Sequence, residues 1–115
     1  MPAYRFASDI LVPYMRETSN DRKITTQQRE AQKSHHLIEH FGEQIVSHGR
    51  RGQIDGSAVR GYRELRKMKV KPLTVKGELA LASRACNYAI SEWDYDMPNP
   101  FSGRLMSDRD RAAMA

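Results

Sequence analysis

Between Arg50 and Lys76 the chain places nine cations, Arg50, Arg51, Arg60, Arg63, Arg66, Lys67, Lys69, Lys71 and Lys76, against only Asp55 and Glu64. That stretch carries +7 in a chain of net charge +5, so the remainder sums to −2. Positive charge so concentrated on a small protein attracts a polyanion, and double-stranded nucleic acid is the first candidate. The expected chemistry is contact with phosphate, which sets register without reading much sequence. Arg50 and Arg51 sit in a glycine-flanked turn and can reach a backbone as a pair. Arg60, Arg63 and Lys67 recur at spacings of three and four, which is one helical face. Arginines there can chelate guanine edges, whereas Lys67 acts as a point charge. Thr74 as a helix cap, with Lys76 beside the free N–H groups that follow, would seat a phosphate at a helix start. Arg84 stands apart from the cluster and extends the same surface.

Other chemistries fit less well. His36 and His40 are four apart, a metal-ligand spacing, with Glu39 and Glu43 nearby. A structural zinc site needs about four convergent ligands, so these histidines read as surface or boundary groups and no metal is expected. Cys86 lies among Ala82, Ala85 and Ala89 and reads as a small buried hydrophobe rather than a nucleophile. Asp94 and Asp96 flank Tyr95 as polar residues at a helix end, not as an acid–base pair. Gly49 and Gly52 lack the lysine and hydroxyl residue of a nucleotide loop, so neither cofactor nor small-molecule substrate is expected.

Four helices must position the cations. Phe6, Ile10, Leu11, Tyr14 and Met15 predict a first helix over Tyr4 to about Glu17, short or kinked because of Pro13. A second begins at Thr25 or Thr26, either able to cap it, and runs through Ala31, Leu37, Ile38 and Phe41 to a stop at Gly42. Ile45 and Val46 offer a short apolar turn. Asp55 caps a third helix from Gly56 to about Met68, with Val59, Tyr62 and Leu65 as its buried stripe. Pro72 ends a basic loop, and Thr74 caps the fourth helix. There Val75, Leu79, Ala82, Cys86, Ala89 and Trp93 alternate steps of four and three, a buried central helix that stops by Asp96. Trp93 is expected to anchor the core against the first helix.

At 115 residues the chain is the size of one domain. No apolar run reaches the length of a membrane span, no basic-then-apolar stretch marks a secretory signal, and one cysteine excludes an internal disulfide. The expectation is a cytoplasmic, all-α domain over residues 1–101, followed by a linker or tail over 102–115.

Arg63 to Lys71, Pro72-Leu73-Thr74, Glu78-Leu79, Asn87-Tyr88-Ala89, Trp93 and Asn99-Pro100 together resemble the N-terminal core-binding domain of phage-type tyrosine recombinases (integrases). The second helix, ending in Phe41-Gly42, is similar to that family's as well. The likeness spans about residues 5–101, and Lys76-Gly77 departs from it where many members carry asparagine and arginine. The resemblance implies a compact, SAM-like bundle of four main helices that binds double-stranded DNA at a recombination core site. It also implies partners: a catalytic domain of the same polypeptide and other recombinase protomers. The tyrosine nucleophile of the family belongs to that catalytic domain, so this chain is expected to be a fragment without activity of its own. The alternatives are a freestanding helical DNA-binding regulator, and a helical interaction protein that binds an acidic partner.

Overall fold

Pro13 divides the first helical segment into two kinds of helix. The computed structural model describes residues 3–47 and 53–103. In it Phe6–Leu11 form a π-helical turn, closed by Val12 N–H to the Ala7 carbonyl, and α1 (Val12–Thr18) follows with Pro13 in its first turn. Proline lacks an N–H and its ring crowds the carbonyl four residues back, that of Asp9. The wider turn relieves the crowding. The Asp9 carbonyl accepts instead from the Tyr95 hydroxyl at 3.1 Å, so a local defect becomes a tertiary tie to the far end of the chain.

A 3-10 turn (Ser19–Asp21) leads to α2 (Ile24–Phe41). Neither Thr25 nor Thr26 caps α2. Its N-cap is Lys23, which makes no side-chain cap, and the Gln27 amide holds the preceding turn by donating to the Ser19 and Arg22 carbonyls at 2.7 and 2.9 Å. Gly42 ends α2 as expected, at φ +54, a backbone conformation that a β-carbon would strain.

The all-α expectation needs one amendment. Ile45 and Val46 form a strand, β2 (Ile45–Ser47), paired antiparallel with β1 (Ala3–Arg5) in the register Tyr4 to Val46. β-branched side chains favour this extended form, and Val46 is fully buried beneath the ladder. The pairing brings the start of the chain against the end of α2. Four helices still make the body of the molecule.

Helix α3 (Gly56–Lys67) begins where Asp55 accepts from the Ala58 N–H at 2.8 Å, the expected cap. Val59 and Tyr62 are buried, but Leu65 is 50% exposed. Each three-residue step falls about 60° short of a full turn, so Leu65 lies roughly 120° round from Val59. Arg63 and Arg66 take the inward positions instead.

Helix α4 (Pro72–Glu92) starts two residues before the expected cap. Pro72 occupies its first turn, where a missing N–H is harmless, and Thr74 is already inside the helix. Val75, Leu79, Ala82, Cys86 and Ala89 are buried as the periodicity predicts, and burial pushes the Cys86 thiol up to about 12. Helix α4 ends in a left-handed Asp94 (φ 55), with Tyr95 N–H reaching back to the Ala89 carbonyl at 3.2 Å. Trp93 is half-buried and donates to Glu17 of α1 at 2.9 Å, which ties the two helices as expected.

Phe6, Phe41 and Phe101 meet with ring centroids 5.5 to 5.7 Å apart, and Tyr62 adds a fourth ring 5.1 Å from Phe41. Asn99 locks the returning chain by donating to the Ser83 carbonyl and the Asn87 side chain. No helix among the described residues is long and apolar enough to cross a membrane.

Candidate nucleic-acid interface

The basic segment is sorted by one carboxylate. Glu78 of α4 is 1% exposed and points back at α3. The Tyr62 hydroxyl donates to its Oε1 at 2.6 Å, while Arg66 donates through Nε at 3.0 Å and Nη2 at 2.6 Å. Burial first, and then Glu78, hold the Tyr62 hydroxyl far above its ordinary range, and the bond to Glu78 raises Arg66. Withdrawing Arg66 would leave a buried charge unpaired at about 3–5 kcal/mol, whereas an exposed ion pair returns about 0–1. Arg66 is therefore a strut between α3 and α4, not an available phosphate contact.

The α3 face built from Arg60, Arg63 and Lys67 is not the uniform stripe its spacing predicts. Arg60 is exposed. Arg63 is 9% exposed, with its Nε 3.7 Å from Glu64, and Lys67 lies 3.4 Å from the same carboxylate. Val59 and Tyr62 face the core, and Arg63 stands only about 40° round from Val59, so it is drawn in with them. Arg50 and Arg51 lie outside the described residues.

Other exposed cations stand on or beside α4. Lys71 is the N-cap of α4, and Lys76 and Arg84 lie on the side of that helix opposite its buried stripe. Leu73, Lys76, Ala80, Arg84 and Asn87 step by three and four along this outer face. Between the two cations only the small Ala80 intervenes. Thr74 is exposed on the first turn but does not cap it. Lys69 faces a groove between α2 and α3.

One contributor escaped the sequence reading altogether. A β-carbon placed on Gly77 would lie 3.4 Å from both Cε and Nζ of Lys33, so the glycine leaves room for this α2 ammonium to lie against α4. Lys33 thereby reaches α4 from a second helix, beside Gly77. No signal local to Lys33 announces this, because it depends on how α2 and α4 pack. Arg84 is the loosely held member. Its Nη2 lies 3.9 Å from Glu30, a carboxylate that Arg22 already holds at 3.0 Å.

The carboxylates near His36 and His40 in sequence are engaged elsewhere or stand apart. Glu43 is taken by Ser8, whose N–H and hydroxyl both donate to it, and no group of three or more metal-ligating side chains converges among the described residues. His36 and His40 instead line the α2–α3 groove.

Comparison with known proteins finds no matching family model, no matching curated protein and no matching solved structure.

Proposed function

We propose that this chain is a double-stranded DNA-binding module, of the kind that holds the core site for the catalytic domain of a tyrosine recombinase. The observation that carries the reading is the outer face of α4. Lys76 and Arg84 are eight residues apart, about 12 Å along the axis, close to the roughly 12 Å width of a major groove. Ala80 between them permits close approach, with Lys33 and Lys71 at the flank and entry. This face engages phosphates on either side of a groove without disturbing the Glu78 clamp. The residues that resemble the recombinase family support the finer identity through their structural work. Phe41-Gly42 ends α2, Glu78 and Leu79 fix α4, and Asn99 closes the bundle on Asn87.

The test is a salt-dependent titration against duplex and single-stranded oligonucleotides, with heparin as competitor. The chain should prefer duplex, with affinity falling steeply as salt rises. Lys76→Ala with Arg84→Ala should weaken binding and lower the salt slope by about two, one for each phosphate no longer neutralised. Both side chains are exposed, so helicity should not change. Unaltered affinity and slope in the double variant would remove α4 from the interface, and the reading with it.

A further inference from the structure

Arg22 and Arg84, from distant parts of the chain, reach for one oxygen. Glu30 of α2 is 4% exposed, and its Oε1 lies 3.0 Å from Nη1 of Arg22 and 3.9 Å from Nη2 of Arg84. A carboxylate set so deeply has lost most of its hydration and must be neutralised from within the protein. The two arginines share that task unequally. Arg22 is fixed in the turn before α2: its N–H donates to the Ser19 carbonyl at 3.2 Å, and its own carbonyl accepts from Gln27 at 2.9 Å. Its Nη2 donates to the buried Tyr14 hydroxyl at 3.1 Å. Arg84 keeps 48% of its side chain exposed, and at 3.9 Å it stands beyond hydrogen-bond reach of the same oxygen. Lys33, the cation one turn along α2 from Glu30, lies against Gly77 instead.

This division decides how much of Arg84 is on offer. A guanidinium drawn onto Glu30 is withheld from a phosphate, whereas one turned outward is free to meet it while Arg22 keeps the carboxylate neutralised. We propose that Arg22 is a positioning residue for DNA binding: by holding Glu30 it releases Arg84, and so sets the affinity of the α4 face without touching DNA itself. The inference rests on the reading of Lys76 and Arg84 as phosphate contacts, and supplies that face with a control from outside it. Tyr14, Arg22, Glu30 and Arg84 form the chain of contacts, from α1 through α2 to α4. Glu30 and a phosphate compete for a single guanidinium, so whatever loosens Arg22 from Glu30 draws Arg84 inward, and duplex binding draws it outward. An arginine half in solvent gains little from an ion pair, which leaves the two positions close in energy and the expected effects a few-fold.

The experiment combines duplex titration of the full chain at constant salt with nitrogen relaxation of the Arg84 Nε–H in the free chain. Arg22→Met should weaken duplex binding about threefold and slow the motion of Arg84, and Glu30→Gln should tighten binding about threefold and speed that motion. Arg22→Lys returns a cation to Glu30 and should restore most of the affinity that Arg22→Met loses. Both effects should vanish in an Arg84→Ala background, where a mere change of net charge would still be felt. Denaturation midpoints verify that each variant is folded at the assay temperature; Glu30→Gln and Arg22→Lys carry the test if Arg22→Met is not. Suppose Arg84→Ala weakens binding while the Arg22 and Glu30 variants change neither affinity nor Arg84 motion. That result overturns the inference and leaves the DNA reading standing. Equal shifts with and without Arg84 overturn it as well. Arg84 motion that responds to these variants in a chain binding no duplex removes the DNA reading instead, and the affinity control with it.

Discussion

Two buried glutamates, one in each half of the molecule, are held by an arginine and a neighbouring tyrosine, yet they are held differently. Glu78 receives three donors on its own two oxygens, from Tyr62 and Arg66, and Arg66 keeps only 14% of its side chain exposed. Glu30 receives one close contact from Arg22 at 3.0 Å and a looser approach from Arg84. There the tyrosine binds the arginine, not the carboxylate: Arg22 donates to the Tyr14 hydroxyl at 3.1 Å, and its Nε finds no hydrogen-bond acceptor. Arg22 also keeps 26% of its side chain exposed. The Glu78 site is a closed chelate that removes its arginine from the surface. The Glu30 site is an open bridge that leaves Arg84 able to turn outward. Cations of equal formal charge therefore differ in what they offer a ligand, and the carboxylate beneath them decides which.

The sharpest break in this comparison is Glu78→Ala. It strands Arg66 and the Tyr62 hydroxyl between two helices and should cost about 3–5 kcal/mol in chemical denaturation. A loss below about 1 kcal/mol would mean the chelate is no stronger than a surface pair. Glu30→Gln should cost less, about 1.5–3 kcal/mol, because Arg22 retains Tyr14 and can reach water. Should the two losses prove equal, the distinction between closed and open sites would fail.

The smallest effect is one of pH. Burial lowers the His40 pKa from its ordinary 6.5, and its ring lies against Tyr62 of the closed site. The unfolded chain then binds the proton more readily than the folded one. The contribution of His40 is complete above pH about 6.5 and declines as the pH falls below that value. His40→Asn should flatten this part of the stability profile, as measured by denaturation midpoints from pH 7 downward. Glu30→Gln should leave it in place, since the open site holds no imidazole.

Legibility in the sequence followed the range of the interaction. The Asp55 cap and the Gly42 stop rest on bonds within four residues, and each stands where the local pattern puts it. The α4 stripe is equally local, since it repeats along one helix. Thr25, Thr26 and Thr74 show the weakness of the same logic, because a hydroxyl near a helix start caps it only when the chain turns at that residue. Nothing near Glu78 marks it as buried. Its partners lie 12 and 16 residues away, and only the packing of α3 on α4 aims them at it. Lys33 beside Gly77 was hidden for the same reason, and the β1–β2 pairing joins segments some forty residues apart.

The charge, its concentration after Arg50, and the helices that carry it can all be read from the order of residues, because composition and short-range periodicity are properties of the chain alone. Which of those cations face outward is settled by the folded arrangement. A buried carboxylate captures the arginine within its reach, and that reach is set by how helices pack.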